Sequence, residues 1–378
     1  MKRCVYNGID RPDVYARLLK GKKLALLTSA SGVNKSGVPT YEILAEKYHL
    51  DLLLAPEHGL HSNLQDGKWS EETRDPVTGA RLVTLDRNTR ERLTEFLRDI
   101  DTVVYDIQDV GARFYTYLYN LTDVMIAARA VGTSVVVLDR INPIGGTKLE
   151  GEILDEEKFS SGIGRYATPT RYGLTIGELA SYLNDKKDIH CDLTVVPCEG
   201  WSRNLYGDET DLLFVNPSPN IPSVNCAINY IGNCIWEATN ISEGRGTTRP
   251  FDLVGAPFVD AGRLCREITA LHLPGVVFRR AYFTPMFNKY AGETCEGVEL
   301  HITDRDAYSP FLCMLHLYEH MRRYPDFSAR NEGICLRFGT DRLLHPMDIP
   351  AFIHENTAKI DAFKKSVRPY LLYGTDFL

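Results

Sequence analysis

Short apolar runs alternate with helix-like stretches through the first 140 residues, and this alternation restricts the fold more than any other feature. The strong runs are Lys23–Thr28 (KLALLT), Asp51–Ala55, Asp101–Tyr105 and Ser134–Leu138, with a weaker one at Arg81–Leu85. Each strong run is apolar at consecutive positions, as expected of a strand covered on both faces. Between them, Tyr41–Tyr48, Thr89–Leu97 and Tyr117–Val131 read as helices. The pattern predicts an α/β fold built on a Rossmann-like, mainly parallel sheet. The loop after the first run, Ser29-Ala30-Ser31-Gly32-Val33, has one glycine and neither G-x-G-x-x-G nor a P-loop lysine. Dinucleotide or ATP binding is therefore not expected, and no cofactor is predicted.

Residues 145–255 are richer in Gly, Pro and Asn. Within them Leu174–Asn184 reads as a helix, with Thr175 and Glu178 spaced as a capping box, and Asp192–Val196 reads as a strand. Alternation resumes with a helix at Ala261–Leu271, strands at Gly275–Phe283 and Gly297–Thr303, and a helix at Pro310–Arg322. The expected organisation is a Rossmann-like domain over residues 1–255 and a smaller C-terminal α/β domain over 256–378. A mild net charge of −7, without basic clusters, argues against nucleic acid as a partner. Nine cysteines, an odd number in no compact spacing, read as free thiols of a reducing compartment. The N-terminal segment lacks the apolar stretch of a signal peptide, and no segment approaches the roughly 20 apolar residues of a membrane span. A cytoplasmic protein, monomeric or homodimeric, is expected, or an exported one if a leader has been trimmed.

Polar residues gather after the apolar runs. Glu57 and His58 follow the second run. Asp106, Gln108, Asp109, Arg113 and Tyr115 follow the run at 101–105, and Asp139, Arg140 and Asn142 follow the run at 134–138. In open parallel sheets these loops share one rim, where ligands bind. Asp, Asn, Gln and Arg suit the vicinal hydroxyls, acetamido groups and carboxylates of a carbohydrate. Two carboxylates in different environments can divide acid and base roles, and Glu57, on a tight turn after Pro56, is the first choice for the acid. Glu243 and Arg245 in the Gly-rich segment Ser242–Thr248, with Asn240 before it and Asn220 in the Pro-rich loop Asn216–Pro222, look like further site walls. Each has a plainer reading: Asp106 and Asp139 as helix caps, Arg113 paired with Asp109, Glu243 tied to Arg245, Glu150 in a solvated turn, Arg171 at the surface. His316-Leu317-Tyr318-Glu319-His320 fits an inverted zinc-peptidase pattern, but its surroundings suggest an ordinary amphipathic helix and no metal is predicted.

These same loops resemble the bacterial exo-β-N-acetylmuramidase family. The similar segments include Pro56-Glu57-His58-Gly59, Asp106 to Tyr117 (DIQDVGARFYTY), Leu138-Asp139-Arg140, Asn142 to Gly146, Leu174 to Leu179, Pro217 to Pro222, Thr239-Asn240, Ser242 to Thr248 (SEGRGTT), and Tyr290 to Glu293. The resemblance implies a Rossmann-like domain plus a smaller α/β domain with the site between them. It implies metal-free release of N-acetylmuramic acid from the non-reducing ends of peptidoglycan fragments, in cell wall recycling. It makes Glu57 a catalytic residue, with Glu243, Asp106 or Glu150 as the second carboxylate. The residues expected to bind the sugar are His58, Gln108, Asp109, Arg113, Tyr115, Arg140, Asn142, Glu150, Arg171, Asn220, Asn240 and Arg245. The chain departs from the family pattern at Ser29-Ala30 and at Leu60-His61-Ser62, where an arginine is usual. A non-catalytic muropeptide-binding protein and a hydrolase of another β-glycoside are the alternative readings.

Overall fold

A computed structural model of the chain describes residues 2–63, 72–375 and 377. Its larger sheet contains β1 (Lys23–Thr28), β2 (His49–Ala55), β3 (Thr73–Arg74), β4 (Arg81–Thr84), β5 (Thr102–Asp106), β6 (Ser134–Leu138) and β7 (Leu193–Val196). The strand order is β3-β4-β2-β1-β5-β6-β7. All pairings are parallel except that of β3 with β4. The chain thus winds from β1 out to one edge and returns to build the other half, with the reversal between β1 and β5.

The consecutive apolar residues of each strand divide between two layers, as the period of two requires. Leu24, Leu26, Leu53 and Val104 pack with Tyr15 and Leu19 of the helix Pro12–Leu19 and with Tyr41 and Leu44 of the helix Thr40–Lys47. Ala25, Leu27, Leu52, Leu54, Val103 and Tyr105 face Leu118, Leu121 and Met125 of the helix Tyr117–Val131 and Leu179 and Leu183 of the helix Ile176–Lys186. The predicted capping box is present: the Glu178 amide donates to Thr175 Oγ1 at 3.3 Å, and the Thr175 amide to Glu178 Oε2 at 3.0 Å.

A second sheet contains β8 (Leu253–Ala256), β9 (Val276–Phe283) and β10 (Cys295–Ile302), antiparallel in the order β8-β10-β9. Its buried residues Phe278, Val298 and Leu300 belong to the same apolar cluster as the larger sheet, which continues through the helices Val224–Asn233 and Pro310–Met321. The predicted helix at 89–97 is two short helices, Arg87–Glu91 and Leu93–Leu97, the first capped by Asp86 accepting from the Thr89 amide at 2.8 Å. Helices Pro12–Leu19, Val224–Asn233, Asn331–Phe338 and Ile349–Val367 lie outside the predicted elements. Val224–Asn233 is buried nearly all round, its Asn229 and Asn233 included. No described helix is long and apolar enough to cross a membrane. All nine cysteines are free thiols, and all but Cys4 and Cys265 are buried.

Candidate active site

A doubly wound sheet usually takes its ligand at the reversal of strand order. Here protein fills that crevice. Arg140 donates to the two Asp106 carboxylate oxygens at 2.5 and 2.9 Å, the Thr40 hydroxyl donates to the same carboxylate, and Thr28 Oγ1 donates to the Asp106 carbonyl at 2.8 Å. Arg140 also reaches the Val33 carbonyl at 2.6 Å. Asp106 is fully buried and does not line the cavity described below. Asp106→Asn removes the partner charge of a buried guanidinium, so it is expected to destabilise the fold by about 3 kcal/mol. Denaturant titration checks the loss. Turnover per folded molecule should stay within about tenfold of wild type.

The neighbouring candidates also serve the scaffold. Gln108 Nε2 donates to the Asp109 and Ile141 carbonyls, both at 2.9 Å. Asn142 Nδ2 donates to the Leu174 carbonyl at 2.9 Å. Asp109 Oδ1 accepts from the Gly111 amide at 2.6 Å and from the Tyr172 hydroxyl, and burial pushes its carboxyl up to about 6. Asp139 accepts from the Gly177 amide at 2.8 Å and from Thr175 Oγ1 at 2.7 Å, so it does support the following helix. Glu150 pairs with the buried Arg171 at 3.0 Å and accepts from Ser309 Oγ at 2.5 Å, holding the start of the helix Pro310–Met321. Arg171 in turn donates to the Ile144 carbonyl, so neither residue is the surface feature the sequence allowed. Asn240 joins its loop to a distant one, donating to the Asp326 carbonyl at 2.7 Å and accepting from the Ser328 amide at 2.9 Å. Arg113 does not pair with Asp109; its guanidinium donates to four carbonyls, of Glu152, Thr168, Arg337 and Phe338, at 2.6 to 2.9 Å.

What the loops do form is a cavity of about 340 Å³. Glu57, His58, Tyr115, Asn220, Glu243 and Arg245, all named from the sequence, line it. Glu57 sits on a turn closed by the Gly59 amide donating to the Pro56 carbonyl at 3.0 Å. His58 occupies the left-handed region there, at φ 75°. That is an uncommon conformation for a residue with a side chain and one that recurs at functional sites. The Tyr117 hydroxyl donates to the Pro217 carbonyl at 3.0 Å and lies 3.4 Å from the Glu57 carbonyl, bringing together three loops distant in sequence. Phe114, Tyr115, Tyr117, Tyr230 and Phe251 line one wall in edge-to-face contacts with ring centroids 4.7 to 6.3 Å apart. Such a wall offers an apolar surface to a pyranose ring.

The charges on the cavity come from the segment 234–248, the loop before β10 and the helix Asn331–Phe338. Glu243 is held by Lys289 Nζ at 2.8 Å and Arg245 Nη1 at 3.2 Å. Arg245 also pairs with Glu237 at 2.6 Å, as does Arg337 at 2.6 Å. The loop 242–248 folds back tightly on the segment 286–287; a Cβ on Gly246, at φ 83°, would lie 2.5 Å from the Phe287 carbonyl oxygen, so only glycine fits. Glu237, Lys289 and Arg337 were not among the predicted residues. Glu237 stands just before Thr239-Asn240 and Lys289 just before Tyr290-Ala291-Gly292-Glu293, so both border recognisable segments; Arg337 carried no sequence signal. Among the described residues no group of three or more His, Cys, Asp or Glu is placed to hold a metal, and His320 Nδ1 lies 2.7 Å from the His316 carbonyl within its own helix.

Burial pushes the Glu237 carboxyl up, but the guanidiniums of Arg245 and Arg337 override it and hold it down at about 2. A folded-state value below the unfolded one gives stability that is full above about pH 5 and is lost as pH falls toward 2. Asp109 and Asp139, both pushed up to about 6 by burial, act with the opposite sign, weakening the fold as pH rises from about 4 to 6. Unfolding midpoints measured from pH 2 to 5 should therefore fall less steeply in Glu237→Gln than in wild type.

Family models described as exo-beta-N-acetylmuramidase NamZ match the chain over residues 24–225 (N-terminal) and 228–373 (C-terminal). The chain belongs to this family. It is 40% identical to the peptidoglycan beta-N-acetylmuramidase NamZ of Bacillus subtilis (strain 168), over 98% of this chain and 91% of the relative. A crystal structure of a DUF1343 family protein from Bacteroides fragilis NCTC 9343 superposes with a TM-score of 0.91 at 31% identity, covering 99% of this chain and 100% of the other. A second DUF1343 protein from the same organism gives a TM-score of 0.78 at 27% identity, covering 98% of this chain and 99% of the other.

Proposed function

We propose that the cavity binds a terminal β-linked N-acetylmuramic acid at the non-reducing end of a peptidoglycan fragment, and that Glu57 protonates the glycosidic oxygen as the sugar is released. The observation that carries this reading is the joint placement of Glu57 and Glu243, from loops far apart in sequence, on one cavity with an aromatic wall, in a member of this family. The leaving oxygen takes the Glu57 proton and the C1–O bond breaks. C1 then accepts an electron pair from the substrate's own acetamido oxygen, and water, giving its proton to the Glu57 carboxylate, attacks C1 and opens the resulting ring. Glu243 suits an orienting role in that scheme, because each of its oxygens is already engaged by a cation. Asp106 and Glu150 are not needed, since both are bound into the scaffold.

The test is a panel of chromogenic β-glycosides. Release from the N-acetylmuramide, well above the glucosaminide and glucoside, supports the proposal; a preference for another sugar transfers the activity to that sugar. Tight binding of muramyl sugars by calorimetry, with no product over long incubation, would instead select a non-catalytic binding protein. The anomer released separates the acetamido route, which retains configuration, from direct attack by water, which inverts it.

A further inference from the structure

Among the described residues three carboxylates line the cavity, those of Glu57, Glu237 and Glu243. Their access to it differs. Glu243 is closed off by the groups that hold it: its side chain is 1% exposed, while Lys289 on one oxygen and Arg245 on the other are 21% and 10% exposed. Glu237 keeps 19% of its side chain exposed. A sugar in the cavity meets Glu237 directly and reaches Glu243 only if one of its cations moves.

The backbone that carries Glu237 is fixed. It belongs to the short 3-10 helix Cys234–Ala238, where the Glu237 carbonyl accepts from Arg330 Nη2 at 3.0 Å and the Ala238 carbonyl from the Arg330 amide at 2.8 Å. Trp236 beside it is fully buried and stacks on Tyr318 with ring centroids 5.9 Å apart. Each oxygen of the Glu237 carboxylate has its own guanidinium: Oε1 meets Arg245 Nη1 at 2.6 Å and Oε2 meets Arg337 Nη2 at 2.6 Å. A carboxylate gripped in this way holds one orientation before substrate arrives, the condition under which a fixed charge lowers a barrier. Held down at about 2, it stays an anion near neutral pH and is too weak a base to take a proton from water.

We infer that Glu237 is the carboxylate that touches the substrate beside C1, accepting the acetamido N–H and stabilising the positive charge that develops as the acetamido oxygen closes on C1. The inference rests on the proposed muramidase reading and deepens it. As that oxygen gives its electron pair to C1 and the leaving oxygen takes the Glu57 proton, charge spreads over the O–C–N unit and its N–H becomes a stronger donor. The hydrogen bond to Glu237 therefore tightens more in the transition state than in the bound substrate. The proton stays on nitrogen, and when water attacks C1 the pair returns to the acetamido oxygen. Glu243 orients the site at one remove, through Arg245, with which it pairs at 3.2 Å.

Two quantities are measured for wild type, Glu237→Gln, Glu237→Asp and Glu243→Gln: turnover of a nitrophenyl N-acetylmuramide, and calorimetric binding of the thiazoline of N-acetylmuramic acid, a stable mimic of the cyclised sugar. Glu237→Gln should lower kcat by about 10²- to 10³-fold, the cost of losing one preorganised electrostatic contact, with KM within about threefold of wild type. Glu237→Asp keeps a charge between the arginines and serves should the amide misfold; with the carboxylate drawn back by a methylene, kcat should fall by about tenfold or more. Both variants should bind the thiazoline more weakly, by about tenfold or more, while binding free N-acetylmuramic acid nearly as wild type does. Glu243→Gln should lose about tenfold or less in each readout. Equal thiazoline binding by wild type and both Glu237 variants overturns the assignment, as does a loss in Glu243→Gln larger than that in Glu237→Gln. Thiazoline binding that depends on Glu237, in a protein that turns over no N-acetylmuramide, keeps the contact and removes the hydrolase; turnover that both Glu237 variants retain in full keeps the hydrolase and removes the contact.

Discussion

Glu57→Gln is expected to lower kcat for release of N-acetylmuramic acid by about 10³-fold while leaving the unfolding midpoint close to that of wild type. The amide keeps the shape of the side chain and cannot give up a proton, so the loss falls on general acid catalysis, which contributes about 10²–10⁴-fold. The loss should depend on the leaving group. A nitrophenol departs without much help, whereas a sugar alkoxide needs the proton, so the variant should be impaired more on a natural disaccharide than on a nitrophenyl glycoside. Comparing the two substrates in one variant separates an acid from a residue that only shapes the cavity. Unchanged turnover of the disaccharide would remove Glu57 from the mechanism.

Arg113→Met is expected to destabilise the protein by about 4 kcal/mol, with activity lost through unfolding. Arg113 is fully buried, and its planar fork is matched by carbonyls from three segments, two of them at the carboxyl end of the helix Asn331–Phe338. Burial, partly offset by Tyr119 and Glu152, pulls the guanidinium down to about 10, and it stays a cation near neutral pH. A helix carboxyl terminus favours a cation, and removing the arginine takes a donor from each of four carbonyls. Gly339, at φ 102°, ends that helix; a Cβ there would lie 2.8 Å from Arg113 Nη2, so the two residues form one joint. Denaturant unfolding measures the loss, and Arg113→Lys should recover only part of it because an ammonium cannot reach four carbonyls at once.

The strands at 23–28 and 134–138 and the helix at 117–131 were legible to the residue. Their apolar runs and helical period record burial that is local in sequence. Placement of Glu57 and Glu243 on the loops that line the cavity was legible as well, in the turn after Pro56 and in the Gly-rich segment 242–248. The function of the loop residues between them was not. Asp106, Arg140, Gln108, Asp109 and Asn142 sit on the rim where the sheet rule places ligands, yet their polar groups face one another or backbone. Donor and acceptor content is the same in either case, and only direction in space tells a ligand contact from a scaffold contact.

The order of apolar and polar residues by itself determined a parallel sheet, its layers, and which turns would stand at its rim, since strand burial and turn chemistry depend on neighbours a few positions away. The tertiary structure alone decided that the crevice at the strand reversal is filled. It also decided which loops meet around the cavity, and that Glu237, Lys289 and Arg337 complete an ionic row with Glu243 and Arg245. These depend on pairings across 34 to 100 positions, where electrostatic fit is set by distances of about 3 Å that no local pattern encodes.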